Sequence, residues 1–129
     1  MVGDSSVAVA IVTNDYPTAL RLWKRIDDHT VHAPHLLELE VANALRRIVL
    51  RRELDLEAGE SALLDLSRLA IVRHPHEPLM RRVWELRENL TAYDASYVAL
   101  AEALGAPLLT TDARLARASG TACEIELFA

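Results

Sequence analysis

Short apolar pieces alternate with longer segments of helical period along this chain, and that alternation leaves it few ways to fold. Strands joined through helices re-enter a sheet in the same direction, so the sequence predicts a parallel sheet with helices on both faces. Tyr16 to Asp28 reads as a helix, with Leu20, Trp23, Ile26 and Asp27 at helical spacing and Pro17 in the first turn. Thr30 to Ala33 is a brief strand closed by Pro34, and Leu36 to Arg51 is a strong helix with Leu37, Val41, Ala44, Leu45 and Ile48 on one face. Leu56 to Leu69 is another helix, Ile71 to His74 a strand before Pro75, and Pro78 to Leu90 a helix through Leu79, Val83, Leu86 and Leu90. Thr91 opens a further helix that ends near Gly105. Pro107 to Thr110 is then a strand, Asp112 to Ser119 a short helix, and Ala122 to Phe128 a final strand. By pattern alone Val7 to Val12, β-branched and apolar, reads as a buried strand as well.

With 129 residues, 51% hydrophobic and 26% charged, the chain has enough apolar material for one core and too little for two, so residues 1–129 are expected to form one domain. A formal charge of −5 argues against binding nucleic acid by bulk electrostatics. Any such contact must be local, and positive charge is clustered at Arg46, Arg47, Arg51 and Arg52 and again at Arg81, Arg82 and Arg87. The single Cys123 excludes an internal disulfide. Val7 to Val12 follows Asp4 rather than Lys or Arg and is too short to span a bilayer. A cytoplasmic protein without membrane association is expected.

Four carboxylates sit at the start of, or inside, four separate segments. Their settings are Gly3-Asp4-Ser5-Ser6, Leu39-Glu40-Val41-Ala42-Asn43, Thr91-Ala92-Tyr93-Asp94-Ala95-Ser96 and Leu109-Thr110-Thr111-Asp112. Asp4 and Asp112 fall where two strands should stop, and the carboxyl ends of parallel strands form the ligand crevice of such sheets. Oxygen donors there suit a hard cation, Mg²⁺ or Mn²⁺. Each acid also has a purely structural reading. Asp4 and Asp112 can cap helices, Thr91 with Asp94 matches a capping box, and Glu40 can be a solvated charge. Glu40 nevertheless shares a helical stripe with Asn43, Arg47 and Arg51 that borders the apolar face. The histidines at 29, 32, 35, 74 and 76 lack a second cysteine or a His-Glu-x-x-His helix, so zinc is not expected. Trp23, Trp84 and Tyr93 are expected in the core rather than in a base-stacking platform.

These motifs, in this order and spacing, resemble those of the PIN-domain ribonucleases, in particular the VapC toxins of bacterial toxin–antitoxin pairs. Gly3-Asp4-Ser5-Ser6-Val7-Ala8 is similar to the opening Asp-Ala-Ser motif, although Gly3 replaces the usual branched residue and Ser5 the usual Ala. The resemblance covers essentially the whole chain and corrects the pattern reading, implying a first strand at Val2 to Asp4 and a first helix at Ser6 to Thr13. It implies a PIN-like three-layer α/β/α fold with a short-stranded central parallel sheet. It also implies a metal-dependent endoribonuclease in which Asp4, Glu40, Asp94 and Asp112 hold Mg²⁺ or Mn²⁺, and products with a 5′-phosphate and a 3′-hydroxyl. Ser6, Asn43 and Thr111 are candidate supporting residues, and Arg46, Arg47 and Arg51 candidate holders of RNA phosphates. The expected partners are RNA and a VapB-type antitoxin presenting Arg or Lys to the acidic pocket, with a homodimer inside the toxin–antitoxin complex. A housekeeping PIN nuclease of RNA maturation and a non-catalytic binding module are the alternatives.

Overall fold

A computed structural model describes residues 1–129. At its centre lies β1, only Val2–Gly3, which pairs in parallel with β2 (Val31–Pro34) on one side and β4 (Leu108–Thr110) on the other. β3 (Ile71–His74) and β5 (Ile125–Leu127) complete a fully parallel sheet of order β3-β2-β1-β4-β5. The strand order reverses at β1, so the crevice beyond its carboxyl end lies at a topological switch point.

On one face pack α1 (Ser5–Val12), α2 (Thr18–Ile26), α3 (Leu37–Leu50) and α4 (Leu56–Arg68). On the other lie a 3₁₀ turn (Glu77–Leu79), α5 (Met80–Glu85) and α6 (Ala92–Leu104), while the short α7 (Ala113–Ala116) packs on β4 and β5. These are the layers of a three-layer α/β/α fold. The run Ala95 to Ala101 in α6 is buried without interruption, and its alanines and Ser96 let the helix lie close between α5 and the sheet. Gly105, in the left-handed region at φ 59°, ends α6 where the sequence expects its cap. No helix is long and apolar enough to cross a membrane.

Val7 to Val12 is helical, as the family resemblance implies, because Asp4 accepts the Val7 amide at its N-terminus and Val7, Ala8 and Ala10 are buried. Tertiary packing outweighs the strand preference of the β-branched residues. α3 has no side-chain cap of its own, and the His76 ring Nε2, 40 residues away, accepts the Leu36 amide at 2.9 Å. His32 Nδ1 and His74 Nε2 lie 2.9 Å apart, within hydrogen-bond distance, and tie β2 to β3. Arg73 on β3 binds Glu38 on α3, which fixes that helix against the sheet edge.

Several expectations are corrected. Pro17 stands just outside α2, and the buried face of that helix is Ala19 and Leu22, whereas Leu20 and Trp23 are nearly half exposed. Trp84 and Tyr93 are also on the surface, Trp84 beneath the Arg87 guanidinium. The segment Pro78 to Leu90 is not one helix: Pro78 lies inside a 3₁₀ turn, and α5 gives way to turns once buried Leu86 is reached. α7 and β5 are shorter than their sequence patterns.

The buried face of α2 yields a direct test. Leu22→Ala should cost about 2–5 kcal/mol in urea unfolding, the usual range for emptying a buried leucine site, and Leu20→Ala about 0.5 kcal/mol. Equal losses would put the buried face back at Leu20 and Trp23.

Candidate active site

Asp4 follows β1 directly and is 5% exposed. Its Oδ1 accepts the Ser6 hydroxyl at 2.5 Å and the Val7 amide at 3.1 Å, and its Oδ2 accepts the Thr110 hydroxyl at 2.5 Å. Both hydroxyls pass the network on to the end of β4. Ser6 Oγ accepts the Thr111 amide at 2.9 Å, and Thr110 Oγ1 accepts the Asp112 amide at 3.0 Å. The first and fourth acidic motifs are therefore one hydrogen-bonded unit across the switch point. Burial raises the Asp4 pKa and Asp94 adds to the rise, while the bonds from Ser6, Thr110 and Val7 act against it.

Glu40 lies near the start of α3, where its Oε1 accepts the phenol of Tyr97 at 2.7 Å. Tyr97 is 1% exposed, and burial together with Glu40 pushes its pKa far up, so it remains a donor. Asp94, in the first turn of α6, donates its amide to Thr91 Oγ1. No return bond from its carboxylate completes the capping box. Its pKa is raised by burial and by the charges of Glu40 and Asp112, with Arg114 opposing. Asp112 caps α7 through Oδ1, which accepts the Arg114 amide at 2.8 Å, and the Arg114 side chain lies 3.7 Å from the same oxygen.

Capping and site membership are thus compatible. Asp4 Oδ2 keeps one lone pair, Glu40 keeps Oε2, Asp112 keeps Oδ2, and both Asp94 oxygens are uncommitted. This all-oxygen set, coupled through like charge, fits a hard divalent cation in donor chemistry. As arranged, no three acidic, histidine or cysteine side chains form a ready coordination group by themselves.

The supporting candidates separate. Ser6 and Thr111 belong to the network, but Asn43 is exposed on α3 and bonded to none of the acids. Arg47 lines a cleft with Ser5, Ser6 and Thr111. Arg46 lies elsewhere, on an apolar groove between α3 and α4, and Arg51 caps α3 at its far end. Two residues were missed: Thr110, which reads as an ordinary strand residue, and Tyr97, which reads as core. The signal for Tyr97 was its place three residues after Asp94, on the same helix face.

The Asp94 shift fixes a pH dependence. A carboxyl whose folded pKa lies above its unfolded value favours the folded state fully below that value, and the contribution is lost as pH rises through the folded pKa. In divalent-free buffer at neutral pH, Asp94→Asn should therefore raise the melting temperature, and the gain should vanish as pH falls toward 3.8, the ordinary aspartate value. A lower melting temperature at neutral pH would show the carboxylate making a stabilising contact instead.

A PIN domain family model matches residues 1–120. "Ribonuclease VapC1" of Mycobacterium tuberculosis is 46% identical over 125 residues, covering 96% of this chain and 94% of the relative. The crystal structure of PAE2754 from Pyrobaculum aerophilum superposes with a TM-score of 0.69 at 27% identity, covering 96% of this chain and 81% of that one. VapBC2 from Rickettsia felis, solved bound to a DNA fragment from its promoter, shares the fold at a TM-score of 0.70 and 13% identity, covering 99% and 98%. The chain belongs to the PIN-domain family, within its VapC branch.

Proposed function

We propose that this protein is a metal-dependent endoribonuclease that acts as the toxin of a type II toxin–antitoxin pair. What supports the reading is that Asp94 is coupled through like charge to Asp4, Glu40 and Asp112, and that each of the four keeps a carboxylate oxygen or lone pair free. The 46% identity to a ribonuclease over nearly the whole chain supports the same activity here. Asp4, Glu40, Asp94 and Asp112 would hold Mg²⁺ or Mn²⁺, which supplies positive charge to polarise a phosphodiester oxygen and to favour ionisation of the attacking water.

The chain's own residues do the rest. Ser6 and Thr110 hold Asp4 in place, one on each carboxylate oxygen. Tyr97 ties down one oxygen of Glu40, which orients the other and lowers the entropy lost on binding. Arg47, outside every ion pair of the chain, offers its guanidinium to a backbone phosphate beside the acids. In-line attack by water breaks the bond to the 3′-oxygen, leaves a 3′-hydroxyl and a 5′-phosphate, and needs no covalent intermediate.

The acidic crevice equally suits an Arg or Lys side chain, so a VapB-type antitoxin would inhibit by occupying the carboxylates. The R. felis VapBC2 complex supports a partner of that kind. Pairing of two copies within the toxin–antitoxin complex is part of the same reading.

The test is RNA cleavage by the purified chain with Mg²⁺ and with EDTA, alongside growth on expression with and without the neighbouring gene. Cleavage should need the cation and fall at least about 100-fold in Asp94→Asn, the scale at which losing transition-state stabilisation registers. Tyr97→Phe should raise the Mg²⁺ concentration for half-maximal cleavage about tenfold, as the loss of an orienting partner does. Cleavage indifferent to EDTA would refute the mechanism, and an active nuclease that leaves growth untouched would favour RNA maturation.

A further inference from the structure

A cleft of about 630 Å³ opens between α1 and α3. Its near wall is Ser5, Ser6 and Thr111, so it is continuous with the network around Asp4. Along α3 the stripe that begins at Glu40 continues into it through Ala44 and Arg47, about 10 Å further along the helix axis. The far rim is Asn14, Asp15 and Tyr16, in the turn between α1 and α2, and Glu53 stands beyond α3. A cleft of this volume holds a small organic ligand.

The rim is fixed in backbone and free in side chain. Asn14 adopts φ 53°, the left-handed turn that asparagine tolerates, and swings the chain out of α1. The Asp15 amide donates to Ala10 and its carbonyl accepts from Ala19, which pins the turn at both ends. The Tyr16 ring is 73% exposed, and the Asp15 and Glu53 carboxylates take part in no ion pair. An aromatic face, acceptor-only carboxylates and a free guanidinium share one cleft next to the proposed phosphodiester site.

We propose that this cleft is a nucleobase subsite, which takes the base flanking the scissile phosphate of single-stranded RNA, stacks it on Tyr16 and reads its edge with Asp15. The inference rests on the RNA-cleaving reading above. Arg47 holds the adjoining phosphate, and unpaired bases stack on aromatic side chains while their Watson–Crick edges stay open to hydrogen bonding. A carboxylate only accepts, so it selects a base that presents donors side by side. Guanine alone offers N1–H and the N2 amine together. Adenine and cytosine set an amine beside an unprotonated ring nitrogen, and uracil sets its single N–H between two carbonyls. The subsite therefore prefers guanine and accepts uracil least.

The experiment uses RNA oligonucleotides that differ only in the nucleotides flanking the cleaved bond, with guanine, adenine, cytosine, uracil or an abasic residue there. Both kcat/KM and equilibrium binding to the cleavage-deficient Asp94→Asn protein are measured. Guanine should exceed the abasic substrate by about tenfold at one flanking position, within the range that one base–aromatic stack supplies. Tyr16→Ala should collapse that ratio and Tyr16→Phe restore it, whereas Asp15→Asn should erase the preference for guanine over uracil and keep that for a base over none. Ratios unchanged in both variants would overturn the subsite and leave the Tyr16 ring to a protein partner. Base ranking in binding without cleavage by the wild type would sustain the subsite and sink the nuclease reading instead.

Discussion

The buried carboxylate of Asp4 organises this end of the molecule. A charge at 5% exposure is costly to desolvate, and three donors, the Ser6 and Thr110 hydroxyls at short range and the Val7 amide, offset that cost. The same bonds start α1, join it to the end of β4, and through Thr111 and Asp112 set where α7 begins. With strands of two to four residues, the ladder supplies few hydrogen bonds at the switch point, and this side-chain network does much of the joining.

The arrangement is electrostatically uncomfortable. Asp94 and Asp4 both titrate above the ordinary aspartate value, burial being the first cause and neighbouring carboxylates a further one. The proposed cation would turn that repulsion into attraction, so stability is held back at the place where charge is to be bound. Tyr97 and Arg114 temper the repulsion, each from a different element: one donates to Glu40 from the buried face of α6, and the other stands beside Asp112 at α7.

Much of this was legible in the sequence, and the failures have physical causes. Alternating strand and helix patterns give the parallel sheet, and the motifs place Asp4 and Asp112 just beyond the ends of β1 and β4, where the ligand crevice of a parallel sheet forms. The identity of Val7 to Val12 as a helix was invisible to pattern, since β1 is too short to register and an eight-residue apolar helix has no polar face. On α2 the bulky Leu20 and Trp23 look like core, yet Ala19 and Leu22 are what the neighbouring α1 admits. Thr110 and Tyr97 were missed because hydroxyl contacts between distant segments leave no local signature. Arg46 and Arg47, adjacent in sequence, point to different grooves because one residue turns a helix by about 100°.

The central claim is that the four acids act as one cation site, and anomalous scattering from a crystal soaked in Mn²⁺ addresses it most directly. The account predicts a peak between Asp4, Glu40, Asp94 and Asp112, with the uncommitted oxygens of Glu40 and Asp94 turned toward it. A peak at the His32–His74 pair alone, or none at saturating Mn²⁺, would contradict it.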